Sequence, residues 1–215
     1  MELKGKSIVF LGDSITEGVG VSKKENRYAD VLVRIAGLGK YYNYGISGTR
    51  IARQQHINPQ DPVDVKSFCE RYSQMEDDVD IVFVFGGTND YGHGDAPFGC
   101  FEDRTMDTYC GALHYLMRGL IEKYPASRII FMTPLHREGE NVPSVSNQLP
   151  LKFYVDKIKE TAGYYSIPVL DIYQNGGICP DIPAQKQLYV PDGLHPNDAG
   201  AEKIAMMIKS FLDNL

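Results

Sequence analysis

Ser14 closes an apolar run of the sequence, in a position where a serine could act as a nucleophile. The run Ser7–Leu11 is short and β-branched and is followed by Gly12, a pattern that predicts a buried strand. A serine at the tip of such a strand has rigid support and an accessible Oγ, as a nucleophile needs. Asp13 and Ser14 also suit a helix cap or a turn, so this stretch alone leaves both interpretations open.

Asp192 and His195 form a second stretch that could do acid–base chemistry. Pro196 suits the first position of a helix, so we expect His195 at the helix cap, where the helix dipole disfavours the imidazolium. A carboxylate favours the imidazolium and can fix the ring's tautomer, and Asp192 can fold back to do so. The alternative is an ordinary Asp-Gly turn with His195 at the surface.

Asn89 and Gly48 could stabilise a developing oxyanion. Asn89 follows the apolar run 80–85 among small residues, and its side-chain amide could donate a hydrogen bond there. Gly48 could add a backbone N–H, because glycine lets the backbone approach a ligand closely. Each of them also suits an ordinary turn at the end of a strand.

Strand and helix patterns alternate along the chain and must position these residues. The predicted strands are 7–11, 41–46, 80–85, 128–133 and 168–172. The predicted helices are 28–36, 63–75, about 104–123, 151–165 and one that begins at Pro196. The predicted loops are 52–62, a stretch after Asp90 that contains His93 and Phe98, 136–150 and 174–195.

This alternation predicts an α/β domain with a parallel sheet that is covered on both faces. In such sheets ligands bind outside the carboxyl ends of the strands, near the switch point in strand order. The candidate residues and the 136–150 loop each follow a predicted strand, so we expect all of them at one edge of the sheet.

The composition is typical of a globular protein with an acidic balance. The 215 residues favour one domain over 1–215, with 43% hydrophobic and 23% charged residues. The net charge of −6 argues against nucleic-acid or anionic-membrane partners, because both attract basic surfaces. We see neither a signal peptide nor a membrane-spanning segment, so we expect a cytoplasmic protein.

Cysteine usage and ligand spacing predict no cofactor. The four cysteines are widely spaced and are expected to be free thiols. The chain has no His, Cys and Asp cluster with metal-ligand spacing, so no metal is expected. The sequence does not indicate an oligomeric state.

Four blocks of the sequence together resemble the GDSL/SGNH hydrolase family. They are Gly12-Asp13-Ser14, Asn43-x-Gly45-x-Ser47-Gly48, Gly87-x-Asn89-Asp90 and Asp192-x-x-His195-Pro196. The blocks occur in the family's order and span nearly the whole chain. The first block often continues with leucine in this family, and Ile15 replaces it here, as in many members.

The resemblance implies a fold and a set of catalytic roles. By resemblance Ser14 is the nucleophile, His195 is the base positioned by Asp192, and Gly48 and Asn89 join the Ser14 amide in an oxyanion hole. The implied fold is a three-layer α/β/α sandwich with a flavodoxin-like five-stranded parallel sheet, in agreement with the strand pattern. The expected activity is that of a serine esterase, in which Ser14 Oγ attacks an ester carbonyl and water hydrolyses the acyl-enzyme.

Three other functions are alternatives to an esterase. An acyltransferase would use the same residues with an alcohol in place of water, and the sequence does not separate the two. A flavodoxin-like phosphate-binding module is disfavoured, because 12–18 lacks the Gly-Lys-Ser/Thr ending and carries Asp13 and Glu17, which repel phosphate. A catalytically dead carbohydrate-binding protein would be expected to have lost a catalytic residue, and none is missing.

The expected partner is a small-molecule ester. Substrate contacts are predicted for Asp13, Tyr91, His93, Phe98 and His136. These aromatic and polar types suit a polar or sugar leaving group at least as well as a long lipid. We therefore expect a small acyl ester as the substrate, such as an acetylated carbohydrate.

Overall fold

A parallel five-stranded sheet forms the centre of the fold. The structure is a computed structural model that describes residues 2–58, 60–61 and 63–215. The strands are β1 Ser7–Gly12, β2 Lys40–Gly45, β3 Ile81–Phe85, β4 Arg128–Met132 and β5 Val169–Leu170. They pair in the order β2-β1-β3-β4-β5, and every neighbouring pair is parallel. The predicted flavodoxin-like sheet is confirmed.

The strand order places its switch point between β1 and β3. From β1 the chain moves to β2 on one side, and it then crosses back to β3 on the other side. A crevice opens at the carboxyl ends of such a strand pair. Ser14 follows β1 and Asn89 follows β3, so the two residues flank this crevice.

Long helices cover both faces of the sheet. They are α2 Tyr28–Ala36 and α9 Asp198–Asp213 on one face, and α5 Tyr109–Lys123 and α6 Leu151–Tyr164 on the other. Alternate side chains of β1 enter opposite cores: Ile8 and Phe10 pack with α2 and α9, whereas Val9 and Leu11 pack with α5 and α6. Burial on both faces explains why β1 and β3 are unbroken apolar runs, and it produces three layers.

Short helices lie in the connections between these elements. They are α1 Ser14–Glu17, α3 Phe68–Arg71, α4 Thr88–His93, α7 Ile172–Asn175 and α8 Pro183–Tyr189, with 3-10 turns at Lys24–Asn26 and Tyr72–Gln74. Both α1 and α4 begin directly after a strand of the switch point, so they carry site residues.

Two predicted helices begin later than expected. The predicted helix 63–75 is reduced to α3 and the following 3-10 turn, because Ser67 forms a capping box with Glu70 and starts the helix there. The predicted helix from about 104 begins at Tyr109, because the Thr108 side chain accepts a hydrogen bond from the N–H of Gly111.

Two predicted loops contain helices. The stretch after Asp90 lies partly in α4. The stretch 174–195 contains α8, whose first residue is Pro183, a residue type that suits the start of a helix. The 136–150 segment, all of it described, has neither helix nor strand. The same holds for the described part of 52–62, whereas Pro59 and Pro62 lie outside the described residues. Over the described stretches, no helix combines the length and apolar character needed to cross a membrane.

Candidate active site

Ser14 is the first residue of α1 and lies at the end of β1. Asp13 caps this helix, and its carboxylate accepts a hydrogen bond from the N–H of Ile15 at 3.0 Å. The first N–H groups of a helix have no partner within the helix, so the Ser14 amide is free to point outward as a donor. The strand tip therefore presents both a hydroxyl and an amide.

A chain of hydrogen bonds joins Ser14 to Asp192 through His195. Ser14 Oγ lies 3.0 Å from His195 Nε2, and His195 Nδ1 lies 2.7 Å from Asp192 Oδ2. The other Asp192 oxygen accepts the N–H groups of Leu194 at 2.9 Å and of His195 at 2.7 Å. With Asp192 accepting at Nδ1, Nε2 is left as the acceptor that faces the serine hydroxyl.

Asp192 remains ionised across the ordinary pH range. Partial burial would raise the pKa of its carboxyl, but the hydrogen bonds from the His195 ring and the two amides outweigh burial and hold that pKa below its usual value. An ionised carboxylate beside Nδ1 fixes the ring tautomer and stabilises the imidazolium that forms when the serine loses its proton.

The predicted helix-cap position of His195 is wrong. The α9 helix begins at Asp198, and Asn197 is its cap, with a side-chain oxygen that accepts the N–H of Gly200 at 3.0 Å. Asparagine is among the strongest capping residues, so the helix starts after Pro196 and His195 lies two residues ahead of the cap. The ring is oriented by Asp192 rather than by the helix terminus.

Gly48 follows β2 and Asn89 follows β3, so the two residues lie on either side of the end of β1. Gly48 adopts φ of 76°, a left-handed conformation that favours glycine. Asn89 lies in α4, and its Nδ2 donates one hydrogen to the carbonyl oxygen of Thr49 at 3.0 Å. A side-chain amide has two such hydrogens, so the second remains for an oxyanion. The segment with Gly48 and the Asn89 side chain are thus directly bonded to each other.

The loop that carries Gly48 is also bound to α1. Glu17 accepts hydrogen bonds from the backbone N–H of Ser47 at 2.6 Å and from its hydroxyl. Asn43 donates from Nδ2 to the carbonyl of Thr16 at 2.8 Å, and a Cβ on Gly45 would lie 2.2 Å from the Glu17 nitrogen. Glycine is therefore required at 45, and the second sequence block packs directly against α1, the helix that begins with Ser14.

Three buried charged groups lie beneath the site. Asp13, Arg71 and Asp90 are 1%, 7% and 4% exposed. Burial raises the pKa of Asp13 to about 7 and that of Asp90 to about 6, and it lowers the pKa of Arg71 to about 10. Asp90 accepts the N–H groups of Ile51 and Ala52, which follow Gly48 along the loop.

Among the residues predicted to contact substrate, Asp13 and Phe98 point into the protein. Asp13 is the buried cap of α1 described above. Phe98 stacks on Tyr109 with ring centroids 5.6 Å apart and meets Tyr154 edge-on at 5.2 Å. Tyr91 lies 5.8 Å from the Tyr154 ring, and its hydroxyl lies 2.8 Å from the carbonyl of Gly139. Both aromatic rings therefore belong to the packing around α6.

His93 and His136 lie closer to the surface. His93 Nε2 is 3.2 Å from Asn89 Oδ1, so a proton on that nitrogen would orient the amide of Asn89. Loss of solvation and the neighbouring Arg50 and Arg137 cations lower the pKa of His93, which favours the neutral ring. His136 Nδ1 is 2.8 Å from Glu140 on the 136–150 segment.

The prediction from sequence missed three residues around the site. Asp90 stands in the third sequence block, and its position next to Asn89 was the available signal. Thr49 follows Gly48 directly. Its hydroxyl accepts a hydrogen bond from Arg71, and its carbonyl accepts one from Asn89. Arg71 has no recognisable signal in the sequence, since an isolated arginine in a helical pattern is normally exposed.

No group of three or more His, Cys, Asp or Glu side chains is arranged to hold a metal ion within residues 2–58, 60–61 and 63–215. The four cysteines are free thiols, as expected. The expectation that catalysis needs no cofactor stays a prediction.

Comparisons with known proteins identify the family. The sequence profile of the GDSL-like Lipase/Acylhydrolase family matches residues 10–203. A crystal structure of a Lactobacillus plantarum protein is 34% identical, with 98% of each chain covered and a TM-score of 0.84. A protein from Bacteroides uniformis that is named for its likeness to GDSL lipases is 21% identical, with 98% of this chain and 96% of that one covered and a TM-score of 0.72.

A two-domain esterase active on acetylated mannans shares the fold at 22% identity and a TM-score of 0.64, over 99% of this chain and 50% of that one. Among curated proteins, no sequence matches the chain. The fold and the profile match together define a hydrolase of the α/β sandwich type. The chain belongs to the GDSL-like lipase/acylhydrolase family.

Proposed function

We propose that residues 1–215 act as a serine esterase on small acyl esters, with Ser14 as nucleophile, His195 as base and Asp192 as its orienting acid. The observation that carries the proposal is the continuous hydrogen-bond chain from Ser14 Oγ through the imidazole to the carboxylate, with distances of 3.0 and 2.7 Å. Nucleophilic catalysis by serine needs this order of groups, because the hydroxyl is unreactive until a base takes its proton.

The reaction then proceeds in two half-reactions. Ser14 Oγ forms a bond to the ester carbonyl carbon while its proton passes to His195 Nε2. The tetrahedral oxyanion is held by the N–H groups of Ser14 and Gly48 and by the Asn89 amide. The C–O bond to the alcohol breaks, and the imidazolium gives the proton to the departing alcohol. Water, deprotonated by His195, attacks the acyl-enzyme in the same way and releases the acid.

Packing around the site favours a small acyl group. Tyr91 and Phe98 pack against Tyr154, so their rings fill the space between α4 and α6 instead of lining a channel for a long chain. Small acyl groups on a polar alcohol fit such a site. The fold itself accommodates sugar esters, since an esterase active on acetylated mannans has it. We therefore propose O-acetylated carbohydrates as the natural substrate class.

The experiment that tests the esterase proposal compares the wild type with Ser14→Ala. We expect hydrolysis of p-nitrophenyl acetate by the wild type and its loss in the variant, with unfolding free energies within about 1 kcal/mol, because one hydrogen bond is removed. Ser210→Ala, a serine exposed on α9, is the matched control and should keep full activity. A stoichiometric label by a reactive phosphonate ester should appear on Ser14 only. Substantial turnover by folded Ser14→Ala would exclude Ser14 as the nucleophile.

Substrate class and reaction type need a second set of assays. We expect rates to fall from acetate to butyrate to octanoate esters, and acetylated sugars to be deacetylated. Products are analysed with and without an added alcohol, because an acyltransferase would pass the acyl group to the alcohol in preference to water. A rate that rises with chain length would contradict the proposed acyl pocket.

A further inference from the structure

Arg71 is a buried arginine whose hydrogen bonds all go to neutral oxygens. Its guanidinium donates to the carbonyl of Gly12 at 2.6 Å, to the carbonyl of Tyr44, to the hydroxyl of Thr49 at 3.0 Å and to the carbonyl of Lys66 at 3.1 Å. Four of the five guanidinium N–H groups are thereby used. Desolvation of a cation is costly, and among the described residues no carboxylate hydrogen-bonds the guanidinium, although the Asp13 carboxylate lies close enough to raise the pKa of Arg71. This arrangement is an expensive way to obtain stability alone.

Three of the four acceptors of Arg71 belong to different parts of the site. Gly12 is the last residue of β1 and stands two residues before the nucleophile. Tyr44 is next to last in β2. Thr49 follows Gly48 in the loop that supplies an oxyanion donor. A single planar group therefore fixes the distance between the strand tip of Ser14 and the Gly48 loop.

Thr49 transmits this constraint to the second donor. Its hydroxyl accepts from Arg71 and donates to the carbonyl of Ile46 at 2.7 Å, while its own carbonyl accepts from Asn89 Nδ2 at 3.0 Å. A shift of Thr49 would move the Gly48 amide directly and rotate the Asn89 amide through their shared bond. Both donors must lie within tenths of an ångström of the oxyanion's position to stabilise it.

We propose that Arg71 is the positioning residue of the oxyanion hole, holding the Gly48 and Asn89 donors in register with Ser14 without touching the substrate. The proposal rests on the proposed function. It predicts that loss of the guanidinium impairs the transition state far more than substrate binding, because the ground-state ester makes weaker contacts with these donors.

The test uses Arg71→Met, Arg71→Lys and Thr49→Val, with Arg118→Met as the matched control. Arg118 pairs with Glu122 on the exposed face of α5, so its variant should match the wild type. We expect Arg71→Met to lower kcat about 10- to 100-fold, less than the about 100- to 1000-fold cost of deleting a donor. KM should change by less than about threefold, as expected for an interaction made in the transition state. Arg71→Lys should recover part of kcat, since a lysine keeps the charge but not the planar fork.

Inhibition by a boronic acid separates positioning from a merely structural role. Ser14 Oγ adds to boron as its proton passes to His195, so the boron becomes tetrahedral and places one of its hydroxyl oxygens in the oxyanion hole. Its affinity should fall across the variants by the same factor as kcat/KM, whereas a general loss of stability would lower the melting temperature without this proportionality.

Two results would overturn the proposal: folded Arg71→Met with kcat within about threefold of the wild type, or lost kcat with unchanged boronic-acid affinity. If Arg71→Met does not fold, Thr49→Val carries the test, since it removes the hydroxyl's hydrogen bonds with Arg71 and Ile46 and leaves the guanidinium in place. Unchanged kcat in this variant would equally refute the proposal. Failure of the esterase proposal is distinguishable, because the wild type itself would then lack Ser14-dependent turnover.

Discussion

Asp192→Asn should trap His195 in the wrong tautomer. The carboxylate accepts three N–H groups, one from the His195 ring and two from the backbone amides of Leu194 and His195. Asparagine has a single oxygen, and two amide bonds outweigh one ring bond, so we expect the oxygen to stay with the backbone. The NH2 group then faces Nδ1 and makes it an acceptor, which leaves the proton on Nε2 opposite Ser14 Oγ. A protonated Nε2 cannot take the serine proton.

The expected loss of kcat follows from the free energy needed to restore the productive tautomer, in which the proton is on Nδ1. Flipping the side-chain amide of the Asp192→Asn variant would turn its oxygen toward His195 Nδ1. Its NH2 group would then face the backbone N–H groups of Leu194 and His195, at a cost of about 1–3 kcal/mol for each. Asp192 has a side chain that is 55% exposed, so water lowers the cost toward the small end of that range. Loss of the charge-assisted bond to the imidazolium adds about 1.5–3 kcal/mol. A total of about 3.5–5 kcal/mol corresponds to a loss of about 400- to 5000-fold in kcat.

The assay is steady-state hydrolysis of p-nitrophenyl acetate by the wild type, Asp192→Asn and His195→Ala, from about pH 5 to about pH 8. His195→Ala should lose more than Asp192→Asn, because the ring moves a proton in both half-reactions and nothing nearby replaces it. Wild-type activity should rise through one ionisation as the imidazolium loses its proton. Asp192→Asn within about tenfold of the wild type would refute the tautomer argument. Equal losses in the two folded variants would refute the division of roles, and a flat wild-type profile would refute the imidazole base.

Two further predictions concern metal and pH. Dialysis against EDTA should leave activity unchanged, since serine chemistry uses protein groups alone, and a loss restored by zinc or magnesium would contradict this. Burial raises the pKa of Asp13 from 3.8 to about 7, so its contribution to stability is full below about pH 4 and is lost progressively as pH rises to about 7. Asp13→Asn stays neutral and keeps an oxygen for the N–H of Ile15, so it should flatten the fall in melting temperature between about pH 4 and about pH 7. An equally steep fall in the variant would show that another group is responsible.

The strands could be predicted from local patterns, whereas the catalytic roles come from the family resemblance and stay predictions. The runs of β1 and β3 are apolar, as strands buried on two faces must be, and a glycine closes β1 and follows β3 directly. Parallel strands end at one edge, so Ser14 and Asn89 were expected at the same edge of the sheet. That they flank one crevice depends on the pairing of β1 with β3, which local sequence does not reveal.

One helix, one helix cap and one buried arginine could not be predicted from the sequence. The α8 helix lies in a polar stretch and has no fully buried side chain, so it lacks the apolar periodicity that marks a helix. Asn197 and Pro196 are both good helix starters, and only the bond to Gly200 decides between them. Arg71 acquires its role from three acceptors that are 22, 27 and 59 residues away along the chain.

The site has a buried half and a surface half. Ser14, Asn89 and the Gly48 loop rest on buried strand ends and share the bonds of Glu17, Arg71 and Asp90. His195 comes from a surface turn whose carboxylate is half exposed. This turn is fixed by the amide bonds of Asp192 and by close approach to Gly20, where a Cβ would lie 2.6 Å from the Pro196 carbonyl oxygen.

Loosening of that turn would separate the base from the serine while leaving the oxyanion donors in place. Loosening of the buried half would do the opposite, since the serine and its base would stay bonded while the donors shifted. The two kinds of damage differ in their pH profiles and in boronic-acid affinity, because the first alters proton transfer and the second alters oxyanion binding. The division between a buried and a surface half therefore predicts that Arg71 and Asp192 variants lose activity in different ways.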